Sequence, residues 1–251
     1  MRIDDKSYKT IWFNEDNSVG IIDQTKLPHS LNIISLYNLE EIITAINTMQ
    51  VRGAPLIGGA AAYGIVLAMK DDPSDKNLIE SSKRLIATRP TAINLKSSIS
   101  IMNDKLNSLQ KKDRYDASVE IAKNICLEDE ECCRLIGLYG KKIISEYIQK
   151  NDIEKINILT HCNAGWLAII DWGTATSPIY HALKDGIKIH VWVDETRPRN
   201  QGASLTSYEL TNEGISGVEI TNSPFISNLE GQKVISDPKG FFYFYKIYLV
   251  F

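Results

Sequence analysis

Two kinds of hydrophobic pattern run along the chain, and the change from one to the other falls just past its middle. From Tyr8 to Leu36, aromatic and β-branched residues are interrupted by the turn-prone stretch Asn14 to Ser18, which predicts a small antiparallel β cap. Beyond it the period lengthens. Asn38 and Glu41 form a capping-box-like start, after which Leu39, Ile42, Ile43, Ile46 and Met49 fall on one face of an amphipathic helix. Pro55 then opens LIGGAAAYGIVLAMK, whose glycine and alanine content lets a helix approach its neighbours closely, and the stretch from Asp71 to Asp75 closes it with a turn. Further helical periods run from Ile93 to Leu109 and from Tyr115 to about Lys150.

After Asn151 the pattern alternates. Strands are expected at Ile156 to Thr160, Ile187 to Val193 and Val218 to Thr221, with helices around Leu167 to Lys184 and Ser204 to Glu213. Such alternation predicts a parallel, doubly wound sheet. The expected fold class is α/β: a mainly helical N-terminal domain with a small β cap over residues 1–125, then a parallel-sheet domain over 126–251 that becomes atypical after about residue 216. The boundary, between about 125 and 150, reads as helical and rigid.

Composition narrows the function classes. The chain has 251 residues, a formal net charge of -3 and 43% hydrophobic residues. Lys and Arg are scattered rather than striped, so no electrostatic footprint for nucleic acid or an anionic membrane is present. Four cysteines, of which Cys132 and Cys133 are adjacent, make neither a disulfide framework nor a zinc spacing and fit a reducing compartment. MRIDDKSYK does not read as a signal peptide. The apolar run FFYFYKIYLVF is well short of the roughly 20 residues that a membrane helix needs, and it contains Lys246. These features predict a cytoplasmic protein with a small-molecule substrate.

The chemistry concentrates in one βαβ unit between Asn157 and Ala203. Open parallel sheets bind ligands beyond the carboxyl ends of their strands, where Cys162 and Gln201 would both project. Cys162 follows the strand INILT and precedes the small residues Ala164 and Gly165, a position at a helix start that can lower a thiol pKa; the alternative is a buried small hydrophobe. His161 is adjacent, but neighbours on a strand point to opposite faces, so a Cys-His pair is disfavoured. DETRPRNQGA, residues 194 to 203, crowds two acids, two arginines and two amides at a strand end. Such groups need partners, which substrate hydroxyls, phosphate oxygens or a dimer contact would supply.

Two arginines add a candidate anion site. Arg52, Gly53 and Ala54 stand immediately before a helix with Pro55 at its start, where free amides and the helix dipole favour phosphate. Arg52 can add a bidentate clamp. Arg89 repeats the theme before Pro90; the alternative in each case is a structural ion pair. His29, His181 and His190 have no metal-ligand spacing, so no metal is assigned. The glycines from Gly58 to Gly64 lack the preceding strand of a dinucleotide fingerprint, so no nicotinamide cofactor is expected.

Read in order, VRGAPLIG, TRPTAINL, ILTHCNAG and VWVDETRPRNQGASLT resemble the family of methylthioribose-1-phosphate isomerases, which also includes ribose-1,5-bisphosphate isomerases and the regulatory subunits of translation initiation factor 2B. The resemblance covers roughly residues 5 to 215. It implies a helical N-terminal domain, a Rossmann-like C-terminal domain, a homodimer, and an aldose-ketose isomerisation in methionine salvage that needs no cofactor or metal. By motif, it implies Arg52, Gly53, Ala54, Arg89 and Gln201 as substrate-binding positions and Cys162 as one catalytic group. Together these positions are expected to form an anion cradle that presents a pentose derivative to the thiol. A non-catalytic regulator that binds a sugar phosphate or nucleotide, or an isomerase of another pentose 1-phosphate, are the alternatives; THCNAG favours a catalyst.

One departure bears on activity. The family pattern continues with a strand ending in Gly-Ala-Asp-Arg and then Asn-Gly-Asp and Asn-Lys, and that first aspartate is the second catalytic group. After about Ser216 this chain instead runs through SPFISNLEGQKVISDPKG into the aromatic tail, and Asp237 has no matching context. The Rossmann-like domain is therefore expected to be incomplete, the chain to be a truncated or frameshifted form, and its turnover to be little or none.

Overall fold

The computed structural model describes residues 1–221 and 247–250. By contacts the chain divides into two units. A helical unit contains Lys9–Glu131 and Ala168–Ile170; a sheet unit contains Met1–Tyr8, Cys132–Leu167 and the described residues from Asp171 onward. The division falls inside one uninterrupted helix, and for that reason hydropathy alone, which puts it after residue 125, has no break in pattern to mark it. Asp237 and most of the atypical stretch, residues 222–246, lie outside the described residues.

In the helical unit, strands β3 (Ile11–Phe13), β4 (Val19–Ile22) and β5 (Ile33–Leu36) form the expected antiparallel cap. The Asn14 to Ser18 turn closes β3 onto β4 through a bond from the Asn14 N–H to the Ser18 carbonyl at 2.9 Å. Helix α1 (Leu39–Asn47) begins as predicted: the Asn38 side chain accepts from the Glu41 N–H at 3.0 Å, and Leu39, Ile42 and Ile46 are buried. Met49 lies beyond the helix end, with φ 63°.

Helix α2 (Ala54–Asp71) is buried on nearly every side, as a helix must be when apolar residues occupy its whole circumference. Its small residues set how closely the others approach. A Cβ at Gly58 would press on Ser98 of α4 (Ile93–Asn107), and one at Gly64 would press on Leu85 of α3 (Asp75–Thr88) and Ile42 of α1. The core built around α2 includes Leu56, Ile65, Leu67, Leu85, Leu95 and Met102, all fully buried. Truncating one of these to alanine costs roughly 2–5 kcal/mol.

Helix α5 (Arg114–Asn151) begins in this unit and continues into the next. The sheet unit contains β6 (Lys155–His161), α6 (Ser177–Lys184), β7 (Lys188–Asp194), α7 (Ser207–Asn212) and β8 (Gly217–Thr221). Strands β6, β7 and β8 are parallel and in the order β8-β7-β6. A fourth strand, β9 (Ile247–Val250), pairs antiparallel with β6, so the sheet is mixed rather than wholly parallel. A short hairpin of β1 (Arg2–Ile3) and β2 (Lys6–Ser7) also belongs here, turned by Asp4 and Asp5 at φ 48° and 62°. The sequence pattern gives no sign of it, because two-residue strands carry no periodicity.

One helix differs from its prediction. The stretch expected to be helical from Leu167 to Lys184 has a 3-10 turn at Trp166–Ala168, then bends through Trp172 and Gly173 at positive φ, and becomes α6 only at Ser177. Gly173 and the Pro178 ring start the helix late, and the apolar run Trp166 to Ile170 is buried as irregular chain instead.

Candidate active site

The parallel strands end side by side in polar residues. In register, His161 of β6 stands opposite Asp194 of β7, and their side chains meet at 2.6 Å from Nδ1 to Oδ2. Asp194 is buried whereas His161 is half exposed. The histidine is thus engaged with the neighbouring strand and not with Cys162, in keeping with the alternation of strand side chains.

Cys162 leaves the strand in a left-handed conformation, φ 64°, a strained choice for a residue that bears a Cβ. This turn points the half-buried thiol at Gln201, to whose amide oxygen it donates across 3.2 Å. The Thr196 hydroxyl donates to the same oxygen at 2.8 Å. With its oxygen engaged twice, the Gln201 amide has its N–H groups to offer a hydroxyl or phosphate oxygen. The expected helix start after Cys162 is not found, since only the three-residue 3-10 turn at Trp166–Ala168 follows. Cys126 of the helical unit is buried, and burial pushes its thiol up to about 12 despite a hydrogen bond from Tyr63.

Several groups of the polar comb after β7, expected to find partners in a substrate or a dimer contact, bond within the protein itself. Glu195 accepts the N–H groups of Thr196 (2.8 Å), Gly202 (2.7 Å) and Ala203 (3.0 Å). Arg197 donates to Asn200 at 2.6 Å. The chain then forms a π turn at Gly202–Thr206 before α7, with Gln201 at its head; such wide turns recur at functional sites. Thr206 closes the arrangement by donating to the Cys162 carbonyl at 2.8 Å. The sequence shows Glu195 and Thr196 only as part of the polar cluster and Thr206 not at all, because the hydrogen bonds that give these residues their roles leave no periodic trace.

Of the other predicted positions, Arg52, Gly53, Ala54 and Arg89 belong to the helical unit. Gly53 caps α2 with φ 102°, and a Cβ there would collide with the Ala168 backbone, so only glycine fits. Ala54 and Pro55 form the first helical turn, and Arg52 is half-buried just before them. Arg89, also half-buried, ends α3, and its carbonyl accepts the Ala92 N–H at 3.0 Å where α4 begins. The structure therefore brings Cys162 and Gln201 into contact, and it sets Arg52, Gly53 and Ala54 at one helix start. Among the described residues, no group of three or more His, Cys, Asp or Glu side chains is arranged to hold a metal ion, and no helix is long and apolar enough to cross a membrane.

The model of the initiation factor 2 subunit family matches residues 50–230, nearly three quarters of the chain. The chain belongs to that family. Among its similar members is the methylthioribose-1-phosphate isomerase of Sinorhizobium medicae, 50% identical over 217 residues, which are 86% of this chain and 60% of that protein. The Escherichia coli enzyme of the same name is 52% identical over 86% of this chain and 58% of its own length. Among solved structures, 5-methylthioribose 1-phosphate isomerase from Pyrococcus horikoshii aligns with a TM-score of 0.77 at 31% identity, covering 90% of this chain and 64% of that one. Translation initiation factor eIF-2B subunit delta from A. fulgidus aligns with a TM-score of 0.74 at 36% identity, covering 86% of this chain and 62% of that one. This family member thus spans about 60% of the length of the curated relatives it matches.

Proposed function

We propose that this protein acts on a sugar 1-phosphate as the phosphate-binding and thiol-bearing part of a 5-methylthioribose-1-phosphate isomerase, which forms 5-methylthioribulose 1-phosphate in methionine salvage. The observation that carries the reading is the Cys162 thiol held at Gln201 beyond the carboxyl ends of β6 and β7, together with the 50% identity to a relative of that name. The protein would work in the cytoplasm as a homodimer, with no cofactor.

The chemistry accounts for the residue types. In an ordinary aldose the anomeric hydroxyl loses its proton as the ring opens, but a phosphate on that oxygen closes this route. An acid must instead protonate the ring oxygen, and hydrogen must then pass from C2 to C1 through an enolate-like intermediate or as hydride. Cys162 is assigned one of these proton-handling roles. Arg52, the amides after Gly53 and at Ala54, and Arg89 would hold the phosphate, while Gln201 would donate to a sugar oxygen. Fixing the phosphate makes the later transfer effectively unimolecular.

The direct test is calorimetric titration of the 251-residue chain with 5-methylthioribose 1-phosphate, followed by a turnover assay on that chain and on a form continued after Ser216 with the corresponding E. coli segment. Binding by both forms, with turnover greatest in the extended one, is the expected result. Absence of binding by either form would falsify the reading. Binding of a nucleotide in preference to the sugar phosphate would instead favour the regulatory alternative.

A further inference from the structure

The proposed chemistry leaves a fully buried acid of the sheet unit without a task. Glu209 on α7 is fully buried. Its Oε2 accepts the Leu167 N–H at 3.0 Å. Gly165 lies so close that a Cβ on it would collide with Oε1. The segment from Cys162 to Leu167 is thus held at both ends by one stretch of chain: Thr206 takes the Cys162 carbonyl and Glu209 takes the Leu167 amide. The same stretch carries Gln201, the partner of the thiol. Oε1, also buried, has no hydrogen-bond partner, which is costly for a carboxylate and tolerable for a neutral acid. Burial raises the carboxyl to about 8, with the Leu167 amide opposing it and Glu213 adding to it. Around it stand Tyr180 of α6, whose phenol burial also pushes up, and Glu213 just after α7.

We propose that Glu209 is a positioning residue: by clamping the amide of Leu167 it holds the loop that sets the Cys162 thiol against Gln201. The inference rests on the reading of Cys162 as the chemical thiol for its importance, though not for its test. It explains why glycine stands at position 165 and why a carboxyl group is buried on α7. Glutamine keeps an acceptor oxygen without charge, so Glu209→Gln should preserve the clamp, whereas Glu209→Ala removes the acceptor that holds the Leu167 N–H.

The test uses the 251-residue chain with Cys132→Ser, since Cys132 is exposed and Cys126 and Cys133 are buried. Alkylation of Cys162 by iodoacetamide is followed by peptide mass spectrometry. Glu209→Ala should alkylate at Cys162 about tenfold faster, the scale set by losing a buried hydrogen bond, while Cys126 and Cys133 stay protected and Glu209→Gln matches the parent. An unchanged rate in a folded Glu209→Ala variant, or equal acceleration in both variants, overturns the proposal. Should the alanine variant not fold, hydrogen exchange in the parent protein decides: a Leu167 amide exchanging only on global unfolding supports the clamp, and rapid exchange refutes it. Because neither readout needs substrate, failure of the clamp is separable from failure of the isomerase reading.

Discussion

The thiol loop of the sheet unit and the start of α2 in the helical unit are both candidate ligand-binding segments, yet they are built in opposite ways. Around Cys162 the positions are fixed by side chains that bond to backbone: Thr206 to the Cys162 carbonyl, Glu195 to three amides, Glu209 to the Leu167 amide beyond the loop. At Arg52 to Ala54 the position is fixed by packing, with Gly53 pressed on the Ala168 backbone and α2 enclosed by other helices. The polar construction suits a group that must keep a defined orientation while it exchanges a proton. The packed one suits an anion, which asks only for converging N–H groups and charge.

If that contrast is sound, substitutions in the two regions should fail differently. The largest effect is expected from Cys162→Ala in the extended form, where turnover should fall by about 10²–10⁴-fold, the usual worth of a proton-transfer group, while calorimetric affinity stays close to that of the parent. An equal loss of affinity would erase the distinction between thiol and anion loop. Gly53→Ala comes next: a left-handed alanine alone is worth roughly 1–3 kcal/mol of strain, and the collision with Ala168 adds to it, so thermal melting should show a clear loss of stability. Arg52→Ala should weaken substrate binding by about 10–100-fold, as expected for a lost charge-assisted hydrogen bond, and should abolish any thermal stabilisation by inorganic phosphate. Its turnover at saturating substrate should change much less.

A pH experiment sharpens the comparison further. Glu209 has a folded-state pKa raised from 4.5 to about 8, so the folded protein holds a proton there that the unfolded chain releases near 4.5. The sign follows from linkage: stability falls as pH rises through the window from about 4.5 to about 8. Denaturant titrations of Glu209→Gln should lack that part of the decline, and identical pH profiles for variant and parent would contradict it. The smallest effect, about 1 kcal/mol, is expected from Asn38→Ala, which removes the α1 cap and should leave binding unchanged.

The helical unit was the more legible of the two in the amino-acid pattern. Asn38 and Glu41 announce α1, the Gly and Ala run announces a helix packed closely on its neighbours, and the turn after Asn14 announces the β cap. These signals are local. The three parallel strands were legible for the same reason. What escaped detection depends on distant chain: Glu209 reaches Leu167 over 42 residues and Thr206 reaches Cys162 over 44. The segment after Cys162 misled for another reason. Trp166 to Ile170 has the apolar density of a helix, but its burial comes from surrounding chain on all sides, which density alone cannot distinguish from one helical face. At the site, Cys162 and Gln201 could be picked out as residues, whereas the bonds that hold them together could not.

The left-handed backbone at Cys162 carries an evolutionary consequence. Glycine would occupy that conformation with less strain than any residue bearing a side chain. Drift toward a sturdier fold would therefore favour discarding the sulfur, and a lineage that had ceased to need the chemistry should be found with glycine or asparagine at this position.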